Sequence, residues 1–132
     1  MSAKSSTPRL LIERPGLLAT VQDFGRPGLA SRGIAPSGAL DRAALRTANR
    51  LLGNPEDAAG IELTMGGLAA MLMPGSAPDA DAWVAVTGAR GDITIDGRSV
   101  DPNRAVRLAA GSRLEIGIPT HGVRPYLAVR GG

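Results

Sequence analysis

The sequence predicts a mainly β domain, an antiparallel barrel or sandwich carrying one principal α-helix. Three observations lead there. Turn residues are dense, with 18 Gly and 10 Pro in 132 residues, which favours short strands over long helices. Eight or nine short β-like segments follow one another without β-α-β alternation, a pattern that argues against a doubly wound parallel sheet. A single segment has both the apolar period and the end signals of a helix.

Arg9 to Glu13 (RLLIE) and Leu17 to Gln22 (LLATVQ) read as strands flanking Pro15-Gly16. From Asp23 to Gly38 the chain holds four Gly and two Pro in sixteen residues. A glycine-dense loop of that length in a small domain is usually functional or disordered. Its Asp23, Arg26, Arg32 and Ser37 favour function. The helix is expected near Leu40 to Leu52. Ser37 or Gly38 starts it, Asp41 sits in the first turn where the dipole favours an acid, and Gly53 ends it. Leu40, Ala44, Ala48, Leu51 and Leu52 form its apolar stripe. Arg42, Arg46 and Arg50 line the opposite face, where like charges four apart repel by about 0.3 kcal/mol per pair. That face is either simply solvated or a surface for an acidic partner.

Beyond Asn54-Pro55 the pattern is β throughout. Ile61 to Met65 and Leu68 to Met73 flank Gly66-Gly67, a natural two-residue hairpin turn. Trp83 to Thr87 leads to Asp92 to Ile95, and Asp96-Gly97 closes a second hairpin signal. Ala105 to Leu108, Leu114 to Ile118 and Tyr126 to Val129 complete the set. Arg130-Gly131-Gly132 after that last strand reads as the introduction to further structure.

Composition narrows the function classes. Phe24, Trp83 and Tyr126 are the only aromatics, so an aliphatic core is expected. The absence of cysteine removes disulfides and thiolate ligands and fits a reducing cytosol, so a cytoplasmic location is expected. No apolar run approaches the ~20 residues that cross a bilayer, and Met1 to Ser6 reads as a disordered polar leader without a secretion signal. The net charge is +3, with fourteen arginines and one lysine interspersed among twelve carboxylates. Nucleic-acid binders cluster their charge and interleave aromatics; nucleic acid is not expected as a partner.

Generic catalytic templates fail. His121 is the only histidine and lies in a Pro/Gly loop (PTHGVRP), which reads as surface structure. A triad of Ser37, His121 and Asp41 lacks a nucleophile elbow. No phosphate loop or dinucleotide fingerprint is present.

The stretch from Thr20 to Gly67 rises above this background. It carries Thr20-Val21-Gln22-Asp23, Gly25-Arg26 and Gly28, then Ser37-Gly38-Ala39 with Asp41. Ala48-Asn49-Arg50-Leu51, Gly53-Asn54-Pro55, Ala58-Ala59, Glu62 and Gly66-Gly67 follow. Weaker agreement continues through Thr87-Gly88-Ala89, Asp96-Gly97 and Tyr126-Leu127-Ala128-Val129. This run resembles the family named biotin-dependent carboxyltransferase, allophanate hydrolase subunit 2, KipA and the 5-oxoprolinase C subunit. The resemblance implies a cyclophilin-like antiparallel β-barrel. It also implies that residues 7–132 are the N-terminal part of a longer carboxyltransferase-like domain whose C-terminal half is absent here.

The implied function is that of the C subunit in an ATP-dependent 5-oxoprolinase, opening a cyclic amide to glutamate. No cofactor is expected in this chain, and ATP is expected on a partner. The implied partners are A-type and kinase-inhibitor-like B-type 5-oxoprolinase subunits. One alternative is carboxyl transfer from carboxybiotin to a urea-like acceptor. Lys4, the only lysine, lies in the leader, so biotin would arrive on another protein. Another is a non-enzymatic regulator that antagonises a kinase inhibitor. The isolated chain is expected to be inactive, and self-association is an open expectation, since unpaired sheet edges favour it.

Asp23 and Arg26 are the candidate catalytic pair. In a Gly-rich loop an acid and a fork-shaped cation could clamp a ligand carrying amide and carboxylate groups, or could pair with each other and cap loop backbone. Gln22, Ser37, Asp41 and Glu62 are the candidate substrate-binding residues. Ser37 and Asp41 are equally readable as helix caps, and Glu62 as facing either a polar barrel mouth or solvent. Asn49 and Asn54 suit buried hydrogen bonding near the helix end. No metal ligand set is expected.

Overall fold

The computed structural model describes residues 9–25, 38–75 and 81–132. The leader expected at Met1 to Ser6 lies outside them. Within the described residues the chain forms ten strands and one helix. In chain order these are β1 (Arg9–Arg14), β2 (Leu18–Gln22), α1 (Arg42–Leu52), β3 (Gly60–Thr64), β4 (Leu68–Met73) and β5 (Ala82–Arg90). They continue with β6 (Ile93–Ile95), β7 (Arg98–Ser99), β8 (Val106–Leu108), β9 (Arg113–Ile116) and β10 (His121–Val129).

The strands build two five-stranded sheets, β1-β4-β9-β6-β7 and β2-β3-β10-β5-β8. Every pairing is antiparallel. The mainly β expectation therefore holds in its sandwich form, two sheets and not a closed cylinder. The core lies between them. Leu68, Ala70, Leu72, Leu114 and Ile116 from the first sheet meet Leu63, Val84, Val86 and Leu127 from the second. Period-two alternation produces this: Leu68, Ala70 and Leu72 alternate along β4, and Ala70 sits opposite both Ile12 and Leu114. Aliphatic side chains form this core, as composition required.

Two turn readings have different outcomes. Asp96-Gly97 closes the β6–β7 hairpin, pairing Ile95 with Arg98, and both turn residues have positive φ, 50° and 79°. Gly66-Gly67 does not close a hairpin. It carries the chain from β3 in one sheet to β4 in the other. Met65, Gly66 and Gly67 all have positive φ, one residue more than a two-residue turn uses, and this bends the chain out of its sheet. A Cβ at Gly66 would collide with the carbonyl oxygen of Gly117, so glycine is required there. Pro15-Gly16 likewise joins strands of different sheets.

The helix also begins later than expected. Asp41 is its N-cap, with Oδ1 accepting from the Ala44 amide at 3.0 Å, and Gly53 closes it at φ 72°. Three consecutive amides before it are bound elsewhere. Ala39 N–H donates to the Asp23 carbonyl (2.8 Å), Leu40 N–H to Glu62 Oε2 (2.9 Å) and Asp41 N–H to the Tyr126 hydroxyl (2.9 Å). The buried stripe is Ala44, Leu45, Ala48, Asn49 and Leu52, which keeps Ala44, Ala48 and Leu52 from the expected one. Leu40 is 70% exposed and Leu51 36%, correcting their place in the expected stripe. The helix lies on the outer face of the second sheet, Ala48 and Leu52 packing on Ala85 and Ala128, and the small alanines allow close approach.

The arginine face is engaged within the chain. Arg46 and Arg50 both reach Glu56, at 3.4 and 2.6 Å, while Arg42 and Arg46 lie 5.9 and 5.4 Å from the centre of the Phe24 ring. These contacts offset the like-charge repulsion along the helix.

Candidate functional site

A polar row crosses the face of the second sheet that α1 covers. Thr20 on β2 stands opposite Glu62 on β3, Glu62 opposite Tyr126 on β10, and Tyr126 opposite Thr87 on β5. Directly opposed residues share a face, so register alone aligns these four. Thr87 Oγ1 donates to the Ala44 carbonyl at 2.7 Å, fixing the first turn of α1 to the sheet. The Tyr126 hydroxyl donates to Glu62 Oε2 at 2.7 Å and accepts from Asp41 N–H. Burial, then the hydrogen bond to Glu62, pushes that hydroxyl up to about 12. Glu62 is buried, a costly place for a carboxylate unless donors surround it. Tyr126 and the Leu40 amide are those donors.

Above this network, at the helix N-terminus, opens a cleft of about 520 Å³ lined by residues including Asp41, Gly88, Arg90, His121 and Arg124. Two devices shape it. The β5–β10 ladder is regular from Val84↔Val129 to Gly88↔Pro125, then slips so that the next pair is Arg90↔His121. Gly122, Val123 and Arg124 thus stand against Ala89 alone. Such a bulge bends the strand and re-aims its side chains. Gly88 permits it: a Cβ there would lie 2.5 Å from the Arg124 carbonyl oxygen, and its φ is +87°.

Arg124 Nε is shut off from solvent and has no hydrogen-bond acceptor among the described residues. Its neighbouring carboxylate oxygen, Glu62 Oε1, is 3.8 Å away, close enough for charge attraction and too far for a hydrogen bond.

The residues singled out from sequence are distributed as follows. Asp41 borders the cleft while capping α1. Glu62 lies beneath it, where neither the barrel-mouth nor the solvent reading places it. Asp23 Oδ1 accepts from the Gly25 amide at 2.7 Å, and its carbonyl holds Ala39; its side chain thus caps loop backbone. Gln22 Nε2 donates to Thr20 Oγ1 at 3.1 Å, at the end of the polar row. Arg26 and Ser37 lie outside the described residues. The structure therefore brings Asp41 and Glu62 together through Tyr126. His121 is exposed, as a surface residue should be, and sits on the cleft rim. Tyr126, Arg124 and Arg90 escaped sequence reasoning. Tyr126 had one signal, the chain's only tyrosine at the head of the apolar run Tyr126 to Val129, where a buried hydroxyl needs partners.

Two antiparallel sheets with one helix on the second are compatible with the cyclophilin-like architecture the resemblance implies, and a small-ligand-sized cleft opens at the helix N-terminus. The chain belongs to the carboxyltransferase domain family (subdomain A and B), which it matches over residues 32–132. It is 42% identical to the C subunit of 5-oxoprolinase from Escherichia coli over 123 residues, covering 93% of this chain and 38% of that protein. It is 36% identical to urea amidolyase of Saccharomyces cerevisiae over 122 residues, covering 92% of this chain and 6% of that one. Superposed on the crystal structure of K. lactis urea amidolyase it gives a TM-score of 0.86 at 29% identity, covering 100% of this chain and 8% of that one. The chain therefore spans well under half of these relatives' lengths.

Proposed function

We propose that this chain contributes to an ATP-dependent 5-oxoprolinase as its C subunit, the complex opening the lactam of 5-oxoproline to glutamate. The observation that carries this reading is the 42% identity to the C subunit of a bacterial 5-oxoprolinase, sustained over 93% of the chain. In the reaction water adds across the lactam C–N bond, the carbonyl carbon gaining oxygen and the nitrogen gaining a proton. ATP is handled by a partner, with A-type and B-type subunits completing the complex in the cytoplasm. Asp41 faces the substrate from the cleft, and Glu62 with Tyr126 holds the Leu40 and Asp41 backbone in place beneath it. Asp23 and Arg26 remain the proposed catalytic pair from the loop, with Gln22 and Ser37 beside them.

Carboxyl transfer to a urea-like acceptor is the second reading, favoured by 36% identity to a urea amidolyase and the fold match to another. One experiment separates the two. The chain is co-purified with the proteins encoded beside it, and ATP hydrolysis is followed with 5-oxoproline or urea added. Stimulation by 5-oxoproline supports the first reading. Stimulation by urea, dependent on a biotinylated partner, replaces it with the second.

A further inference from the structure

We infer that the cleft between Asp41 and Arg124 is a carboxylate subsite: Arg124 takes the anion of a small amide or lactam, and Asp41 accepts its N–H. The inference rests on the proposed amide substrate and adds which group of this chain reads which end of it.

Arg124 is only partly satisfied within the chain. A buried donor without an acceptor costs about 1–3 kcal/mol, more when charged, and native structures keep few of them. Arg124 Nε is such a donor among the described residues. Glu62 does not relieve it, because Glu62 Oε2 already accepts from Leu40 and Tyr126 and Oε1 stands 3.8 Å off. Nε itself is shut off from solvent, but the Arg124 side chain is 35% exposed and forms part of the cleft wall, so a ligand meets the exposed remainder of this cation.

Chemistry then selects the ligand. Arg124, Arg90 and His121 border the cleft with Asp41 as its carboxylate. A guanidinium fork matches a carboxylate better than any neutral group. Asp41 would repel a second anionic group, so the rest of the ligand must present a donor, which an amide or lactam N–H supplies. The cleft volume of about 520 Å³ suits a small molecule. The three-against-one bulge at Gly122 to Arg124 holds the arginine at the cleft in place of the regular ladder.

The test uses the full chain, isotope-labelled, titrated with four probes: 5-oxoproline, 5-oxoprolinamide and 2-pyrrolidinone, which share one ring size, and acetate. Shifts are followed at the Gly88, Gly122 and Asp41 amides. Binding of 5-oxoproline at least ~10-fold tighter than the two uncharged lactams is expected, one such step being about 1.4 kcal/mol. Arg124→Gln should erase that preference and Arg124→Lys keep part of it. The probe comparison needs no variant, so it stands even where Arg124→Gln fails to fold. Equal binding of 5-oxoproline and its amide overturns the carboxylate subsite and leaves the lactam reading intact. Acetate shifting these amides as strongly as 5-oxoproline supports the subsite and counts against the lactam reading. No shift with any probe overturns the subsite.

Discussion

The two ends of α1 use similar polar groups and finish them differently. At the C-terminal end Asn49 is fully buried and donates to the Glu56 and Ala58 carbonyls at 3.1 and 2.9 Å. Asn54 donates to Asn49 Oδ1 and to the Val129 carbonyl, and accepts from Gly131 N–H. Arg130 Nε donates to the Leu52 carbonyl, its guanidinium 5.2 Å from the Trp83 ring centre. The cation there has an acceptor inside the chain. At the N-terminal end Glu62 and Tyr126 are satisfied, yet a cleft opens beside them and Arg124 Nε is left without an acceptor among the described residues. The contrast separates polar groups that hold the fold from one positioned for something outside it.

The largest expected effect belongs to the closed end. Asn49→Ala empties a fully buried site and removes its hydrogen bonds to the Glu56 and Ala58 carbonyls and to Asn54, so urea denaturation should show a loss of about 3 kcal/mol with 5-oxoproline binding by the folded fraction unchanged. A loss below about 1 kcal/mol would break the comparison.

Tyr126→Phe comes next, at about 1–2 kcal/mol near neutral pH, because Asp41 N–H loses its acceptor and Glu62 a donor. The folded hydroxyl is raised from its usual 10 to about 12, so the unfolded chain ionises first. The stability tied to this shift is intact below pH 10 and is lost as pH climbs from 10 through 12. Tyr126 is the only tyrosine, so its ultraviolet titration reads this group directly. The Phe variant should lack the corresponding alkaline loss.

Arg124→Gln sharpens the contrast from the open side. Removing Arg124 ends its charge attraction to Glu62 3.8 Å away, a cost of about 1 kcal/mol, while 5-oxoproline binding weakens at least ~10-fold. A destabilisation matching that of Asn49→Ala would make Arg124 a fold-holding residue. Smallest of all, Arg50→Ala removes an exposed pair with Glu56, worth under about 0.5 kcal/mol and fading at high salt.

Strand positions and the Asp96-Gly97 hairpin are legible in the sequence because period and turn chemistry are local. The partner of a strand is not local. Gly66-Gly67 has the chemistry of a hairpin turn, and only the assembled sheets reveal that β3 and β4 belong to different layers. The helix start is hidden for a related reason: the amides of residues 39–41 are held by Asp23, Glu62 and Tyr126, and the farthest of these, Tyr126, is 85 residues from its partner Asp41. In the site, Asp41 and Glu62 can be named by type, whereas Arg124 becomes visible only through the bulge that places it at the cleft.

The 2.8 Å bond from Ala39 N–H to the Asp23 carbonyl has a consequence for how such a domain can diversify. It joins the end of β2 to the chain just before α1 through backbone groups, which every non-proline residue supplies. Substitutions at either residue can therefore change the chemistry beside the link and leave the link itself in place.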